Sequence, residues 1–294
     1  MKNIIFEGVA TALVTPFNRL GTVDYGSLKR LVKRQIALGA NAVVVLGTTG
    51  EASTLAEKER DGVISVAVEE ANGKIPIIAG VGSNATAVSL KRSKRAKSLG
   101  AFGGLAVAPY YNKTTQNGLI AHFFTVADCG LPIILYNAPS RCGINMEPET
   151  YYELAKHPNI VGVKEAGDST KNLCELSIIS DKLAIYAGND DSLIPVIGVG
   201  GKGVVSVVSN IIPDKLAKIY RLLTGGKAEE GKEEYSKYLK LIKLLFSEVN
   251  PIPVKYALST LGLCDNRLRL PLLKMQNVKP LKKELKNLRE EIIV

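Results

Sequence analysis

Lys164 sits near the end of the run Ile160-Val-Gly-Val-Lys-Glu-Ala166, and an amine at the end of a buried run is a source of chemistry as well as a cost. Burying an ammonium is unfavourable unless it is paired or gives up its proton. The neutral amine is the form that condenses with a ketone to give a Schiff base. At an ordinary lysine pKa of about 10.4, only ~0.04% of the side chain is free amine at pH 7, and each unit of depression by apolar surroundings raises that fraction about tenfold. A strand-terminal lysine can equally stretch its stem and keep its charge in water, so other residues must decide between the two.

Polar clusters close several other apolar runs: Gly47-Thr48-Thr49-Gly50-Glu51, Pro109-Tyr110-Tyr111-Asn112, Tyr136-Asn-Ala-Pro-Ser-Arg141-Cys-Gly143 and Gly188-Asn189-Asp190. Thr48 and Thr49 offer hydroxyls and backbone N–H groups between two glycines, which suits a carboxylate. The same pattern fits a glycine turn that opens a helix capped by a threonine or by Glu51. The Tyr136 phenol can pass protons during imine formation, or serve as an amphipathic aromatic at a rim. Arg141, in a loop, can clamp a substrate carboxylate with two parallel hydrogen bonds, or be a surface arginine. Tyr110 and Tyr111 suit a loop or a subunit contact. Taken together, a lysine, a tyrosine, a threonine pair and an arginine specify imine chemistry on an oxo acid.

These clusters share a position in the chain. Eight apolar, β-branched runs recur: Val9–Pro16, Ala42–Gly47, Pro76–Val81, Gly103–Ala108, Pro132–Asn137, Ile160–Lys164, Ala184–Gly188 and Val204–Val208. They are near-continuously hydrophobic, as expected of parallel strands buried on both faces. Helical patterns separate them, including Tyr25–Leu38, Leu55–Ala71, Ala85–Leu99 and Thr115–Cys129; Gly39, Gly100 and Gly130 stop three of these, and Pro148 opens a further segment. This alternation predicts an α/β fold, a closed (β/α)8 TIM barrel, over residues 1–225. The strand signal ends near Ile211, and the patterns Pro213–Leu223, Ala228–Ser247, Pro253–Leu261 and Lys279–Ile293 follow. Residues 226–294 are therefore expected to form an all-helical C-terminal extension packed on the barrel. In such barrels chemistry sits where strands end, which is where the polar clusters lie.

Composition narrows the function classes. No apolar run in the 294 residues reaches the ~18 needed to cross a bilayer. Glu7 and Gly8 interrupt the N-terminal stretch where a signal peptide would stay apolar, so a cytoplasmic protein is expected. The four cysteines show no CxxC spacing, and the two histidines, His122 and His157, lie far apart. This argues against a disulfide framework, a zinc site or a Ser-His-Asp triad. The net charge of +10 is interleaved with glutamate along helical stretches such as Lys91–Lys97. That fits solvated helix faces better than a nucleic-acid surface. The glycine-rich run Gly198–Gly203 lacks the GK[ST] ending of a phosphate loop and precedes a strand.

Over nearly its full length the chain resembles the dihydrodipicolinate synthase family, a branch of the pyruvate-dependent, lysine Schiff-base aldolases. Gly47-Thr-Thr-Gly-Glu51, Pro109-Tyr-Tyr-Asn112, Tyr136-Asn-Ala-Pro-Ser-Arg141, Val163-Lys-Glu-Ala166 and Asn250-Pro-Ile-Pro-Val-Lys255 carry the resemblance. The Thr-Thr pair and Arg141 are similar to the synthases, whereas the related N-acetylneuraminate lyases typically have Ser-Thr and lack the arginine. The resemblance implies a lyase of diaminopimelate and lysine biosynthesis that condenses pyruvate with aspartate semialdehyde. It implies that Lys164 forms the imine, that Tyr136, Thr48 and Tyr111 relay protons, that Thr49 holds the pyruvate carboxylate, that Val205 lines the pocket and that Arg141 guides the second substrate. No metal or organic cofactor is implied, pyruvate itself being bound covalently as the imine. A minimal active dimer, with Tyr111 supplied by the neighbouring subunit, and a homotetramer built as a dimer of dimers are also implied. No nucleic acid and no membrane are expected as partners. Glu57, Arg60 and Val88 stand where lysine-inhibited members carry histidines and a glutamate, while Asn84 and Tyr110 remain, so lysine inhibition is expected to be weak or absent. The alternatives are another pyruvate aldolase, such as an N-acetylneuraminate lyase or keto-sugar-acid aldolase, and a non-catalytic barrel that binds a metabolite or nucleic acid.

Overall fold

The structure, a computed structural model, describes residues 4–167 and 170–293; Met1–Asn3 of the N-terminal stretch considered above lie outside these. Eight strands, β1 (Gly8–Ala12), β2 (Ala42–Val45), β3 (Ile77–Gly80), β4 (Gly103–Val107), β5 (Ile133–Asn137), β6 (Ile160–Glu165), β7 (Ala184–Ala187) and β8 (Gly203–Ser206), pair in sequence order into a closed barrel. Every pairing is parallel, and β8 returns to β1 with Val9 opposite Val204 and Ala10 opposite Val205. Apart from half-buried Val107, every strand residue is buried. The runs do not alternate because one face of each strand fills the barrel and the other packs under helices.

Helices α1 (Tyr25–Ala37), α2 (Glu57–Ala71), α3 (Thr86–Ser98) and α4 (Gln116–Ala127) follow the first four strands. Asp24 caps α1 by accepting from Ser27 N at 2.9 Å, and Thr115 caps α4 by accepting from Gly118 N at 3.1 Å. Gly39 and Gly100 end their helices at φ 81° and 87°, a left-handed region that a side chain would strain. The one-turn α5 (Pro139–Cys142) and α6 (Pro148–Leu154) follow β5, α7 (Thr170–Ser177) follows β6, and α8 (Leu193–Gly198) follows β7. The basic stretch on α3 is tied to α2, since Arg92 pairs with Glu57 at 2.6 Å and Arg95 with Asp61 at 2.9 Å.

After β8 the chain is helical: α9 (Pro213–Thr224), α10 (Ala228–Ser236), α11 (Leu239–Leu245), α12 (Ile252–Thr260) and α13 (Lys279–Asn287). The single helix expected over Ala228–Ser247 is two, broken at Lys237-Tyr238. The break seats two buried tyrosines on different partners: Tyr235 donates to Asp190 O at 2.7 Å and Tyr238 to Glu291 at 2.9 Å. Arg34 of α1 clamps the far end of the chain, donating to Asn210 O (2.9 Å) and Ile211 O (2.8 Å) and to Ile293 O. Among the described residues no helix is long and apolar enough to cross a membrane.

Candidate active site

Tyr136 and Lys164 occupy matching positions on β5 and β6, directly opposite each other in the ladder. Both are buried, at 8% and 7% exposure, and the Lys164 Nζ lies 4.2 Å from the centroid of the Tyr136 ring. The lysine therefore does not snorkel; its amine is turned over an aromatic face inside the barrel mouth. Lys164, Tyr136, Thr48, Thr49, Arg141 and Val205 line one cleft of about 40 Å³, on a bed of Ala12, Val44 and Leu105. An adjoining cleft of about 270 Å³ shares Thr48, Tyr136, Arg141 and Asn250 and runs out past Arg60, Arg92 and Tyr110.

The threonine loop follows β2. Gly50 N donates to Gly47 O at 3.1 Å and Glu51 N to Thr48 O at 3.0 Å, which folds the loop into a tight turn. Thr15 anchors it by donating to Gly50 O at 2.7 Å, and Asn250 Nδ2 donates to Thr49 Oγ1 at 3.0 Å. A Cβ at Gly80 would lie 1.9 Å from Leu46 O, so glycine on β3 is what lets the loop pass. The helix-cap alternative is not realised. A 3₁₀ turn over Ala52–Thr54 intervenes, and α2 begins at Glu57, with the Glu59 carboxylate accepting from Ala56 N at 3.0 Å.

Arg141 lies on the one-turn helix α5, not in an irregular loop, because Pro139 starts a turn that Gly143 closes at φ 71°. Tyr111 is set apart. It is 89% exposed, absent from both clefts, and holds φ 75°. A non-glycine residue in that region costs on the order of 1–3 kcal/mol. Its own chain does not bring it to Lys164.

Two buried carboxylates beside the lysine were not singled out from the sequence. Glu165 accepts from Tyr151 OH at 2.8 Å, Asn137 Nδ2 at 2.9 Å and Gly167 N at 2.7 Å. Burial pushes its carboxyl up, against the pull of those hydrogen bonds. Asp190 is 1% exposed and accepts from Val207 N and Val208 N, both at 2.9 Å. Burial pushes it up as well, opposed by its hydrogen bonds and by the Lys164 charge. The signal for each was its place at the end of an apolar run, Lys164-Glu165 for the first and Gly188-Asn189-Asp190 for the second, with no role read from either. Among the described residues no group of three or more His, Cys, Asp or Glu side chains could hold a metal.

The fold and the site define a (β/α)8 barrel with a buried lysine amine and a phenol at the carboxyl ends of adjacent strands. The chain belongs to the dihydrodipicolinate synthetase family, whose family model matches residues 5–289. It is 46% identical over 276 residues to the 4-hydroxy-tetrahydrodipicolinate synthase of Alkaliphilus oremlandii, covering 93% of this chain and 95% of that one. It is 47% identical over 284 residues to the 4-hydroxy-tetrahydrodipicolinate synthase of Caldicellulosiruptor saccharolyticus, covering 96% of each. Among solved structures, the Thermotoga maritima dihydrodipicolinate synthase superposes with a TM-score of 0.94 at 42% identity, over 97% of this chain and 99% of that one. The Cyanidioschyzon merolae enzyme, solved with lysine bound, gives 0.94 at 38% identity over 97% and 98%.

Proposed function

We propose that this protein is a lyase that condenses pyruvate with aspartate semialdehyde through an imine on Lys164, the activity of a 4-hydroxy-tetrahydrodipicolinate synthase. The observation that carries it is the buried Lys164 amine 4.2 Å from the Tyr136 ring, in one cleft with Thr48, Thr49, Arg141 and Val205. The Lys164 amine adds to the pyruvate ketone and water leaves, giving a protonated imine that serves as the electron sink. Thr49 holds the pyruvate carboxylate, and Val205 packs against the bound pyruvate. Loss of a methyl proton gives an enamine, whose carbon attacks the aldehyde of the second substrate. Tyr136, with Thr48, carries protons between these steps. The amino group of the adduct then adds to the imine carbon, closing the ring and releasing Lys164. No resident cofactor enters this sequence. Residues 1–225 serve as the catalytic barrel and 226–294 as the extension that braces it.

Tyr111, exposed and strained on its own chain, is assigned to the proton relay of a second copy, so that a dimer is the smallest complete unit and a homotetramer the working assembly. The direct test is borohydride reduction in the presence of pyruvate. It should fix pyruvate on Lys164, as read by peptide mass, and absence of an adduct would leave a binding barrel in place of an enzyme.

Arg141 separates this reading from other pyruvate aldolases. Arg141→Ala should raise KM for aspartate semialdehyde on the order of 10- to 100-fold, the worth of a lost charge-assisted carboxylate contact, while pyruvate trapping persists. Unchanged turnover of the semialdehyde would favour a different aldehyde partner.

Lysine sensitivity is the next expectation. Arg60 is 4% exposed and donates to Ala52 O at 3.1 Å and Gly80 O at 2.5 Å; burial lowers it only to about 10, so it stays charged at neutral pH. With Arg92 it lines the wider cleft, and Val88 supplies no carboxylate. A lysine ammonium would meet like charge there. Millimolar lysine should leave the initial rate essentially unchanged, and appreciable inhibition contradicts the assignment.

A further inference from the structure

Lys255, on α12, is completely enclosed, with 0% exposure. Its Nζ lies 2.5 Å from Glu51 Oε1, donates to Arg267 O at 2.8 Å and sits 4.0 Å from the centroid of the Phe17 ring. A carboxylate, a carbonyl and an aromatic face thus surround all that an ammonium can offer. The Glu51 side chain is equally enclosed, and its second oxygen accepts from Arg269 N at 3.0 Å. Arg269 in turn lies over the same Phe17 ring at 4.5 Å and donates to Thr54 O at 2.8 Å.

Replacing a buried ion pair by apolar residues is often neutral or stabilising, so stability alone does not account for this one. Its location does. Glu51 ends the loop that carries Thr48 and Thr49, and it takes a left-handed φ of 51°. Leu46, at the start of the same loop, has φ 59°. Two non-glycine residues in this region flank the proposed carboxylate-binding turn, a shape the backbone avoids unless its surroundings impose it. Five residues before Lys255, Asn250 donates to Thr49 Oγ1 at 3.0 Å. The helical extension therefore grips the turn at two points, Thr49 and Glu51. Lys255 itself lines neither cleft.

We propose that Lys255 is a positioning residue: paired with Glu51 across the barrel–extension boundary, it imposes the strained turn that aims Thr49 at the pyruvate carboxylate. The proposal rests on the assignment of that turn to pyruvate made above. It acts on the binding of one substrate and leaves the Lys164 amine in place.

The test uses Lys255→Met and the double variant Glu51→Gln/Lys255→Met in the full-length protein. Initial rates are measured with pyruvate varied at saturating semialdehyde and the reverse, alongside Tm. The single variant leaves Glu51 buried without its partner, so its Tm falls; the double variant removes both charges, and its Tm recovers. KM for pyruvate should rise on the order of 10- to 100-fold in the double variant, equivalent to a lost charge-assisted contact, with KM for the semialdehyde little changed. A pyruvate KM that returns to the wild-type value together with Tm overturns the positioning role and leaves a purely structural pair. Borohydride trapping on the wild-type protein is the separate control. Failure to trap pyruvate there overturns the Lys164 assignment, whereas trapping combined with an unperturbed pyruvate KM in the double variant overturns only the role of Lys255.

Discussion

Lys164→Met should abolish turnover, with a fall in kcat of on the order of 10³-fold or more, and should erase the borohydride-stable pyruvate adduct. Methionine is close to lysine in length and apolar, so the buried site is filled and Tm should hold or rise. Lys164→Arg is the sharper control. It keeps a cation over the Tyr136 ring, but a guanidinium stays protonated at neutral pH and supplies no free amine. If the charge of Lys164 acted only by attracting pyruvate, the arginine variant would retain activity. If the amine is the nucleophile, both variants are equally inactive. Wild-type-level condensation by either one removes Lys164 from the chemistry.

Tyr136→Phe should lower kcat by roughly 10²- to 10⁴-fold, the usual worth of a positioned proton donor and acceptor. The substitution keeps the ring beneath the lysine nitrogen and the packing of a residue that is only 8% exposed, and it deletes a single hydroxyl. Pyruvate KM should therefore change little, and trapped pyruvate should still accumulate, at a reduced rate, in quenched time courses. Tyr136→Leu, which also removes the aromatic face from under Lys164, should lose adduct formation further. A kcat within threefold of wild type for the phenylalanine variant would show that the hydroxyl carries no proton in the slow step.

The barrel was legible because burial on both faces leaves a one-dimensional trace. Each of the eight apolar runs contains or overlaps one observed strand, and most of the disagreement lies at the ends. The run Val9–Pro16 outlasts β1, which stops at Ala12, since Leu13 donates a last bond to Val44 O at 2.9 Å and Val14–Pro16, as buried as the strand, have left its ladder. Hydrophobicity records burial and is silent on hydrogen bonding. Helices α7 and α8 are implied by an eight-unit barrel but had no bounds in the sequence: they are eight and six residues long, and α8 contains Pro195, so they carry too few turns for a periodic signal. The break between α10 and α11 was missed for another reason, since Tyr235 and Tyr238 choose their partners, Asp190 and Glu291, from distant parts of the chain.

By itself the amino-acid order determined which residues stand at strand ends, and so which polar groups share the carboxyl rim: Lys164, Tyr136, the threonine pair and Arg141 all follow from where apolar runs stop. Strand order then made Tyr136 and Lys164 neighbours. Tertiary structure alone decided what steadies them. Asn250 meets Thr49 across 201 positions and Arg269 meets Glu51 across 218, with Lys255 closing the same network. Periodicity reports that a side chain is buried and on which face. It holds no information about which buried donor meets which buried acceptor, because that is settled only when the barrel closes and the helical extension folds back over its rim.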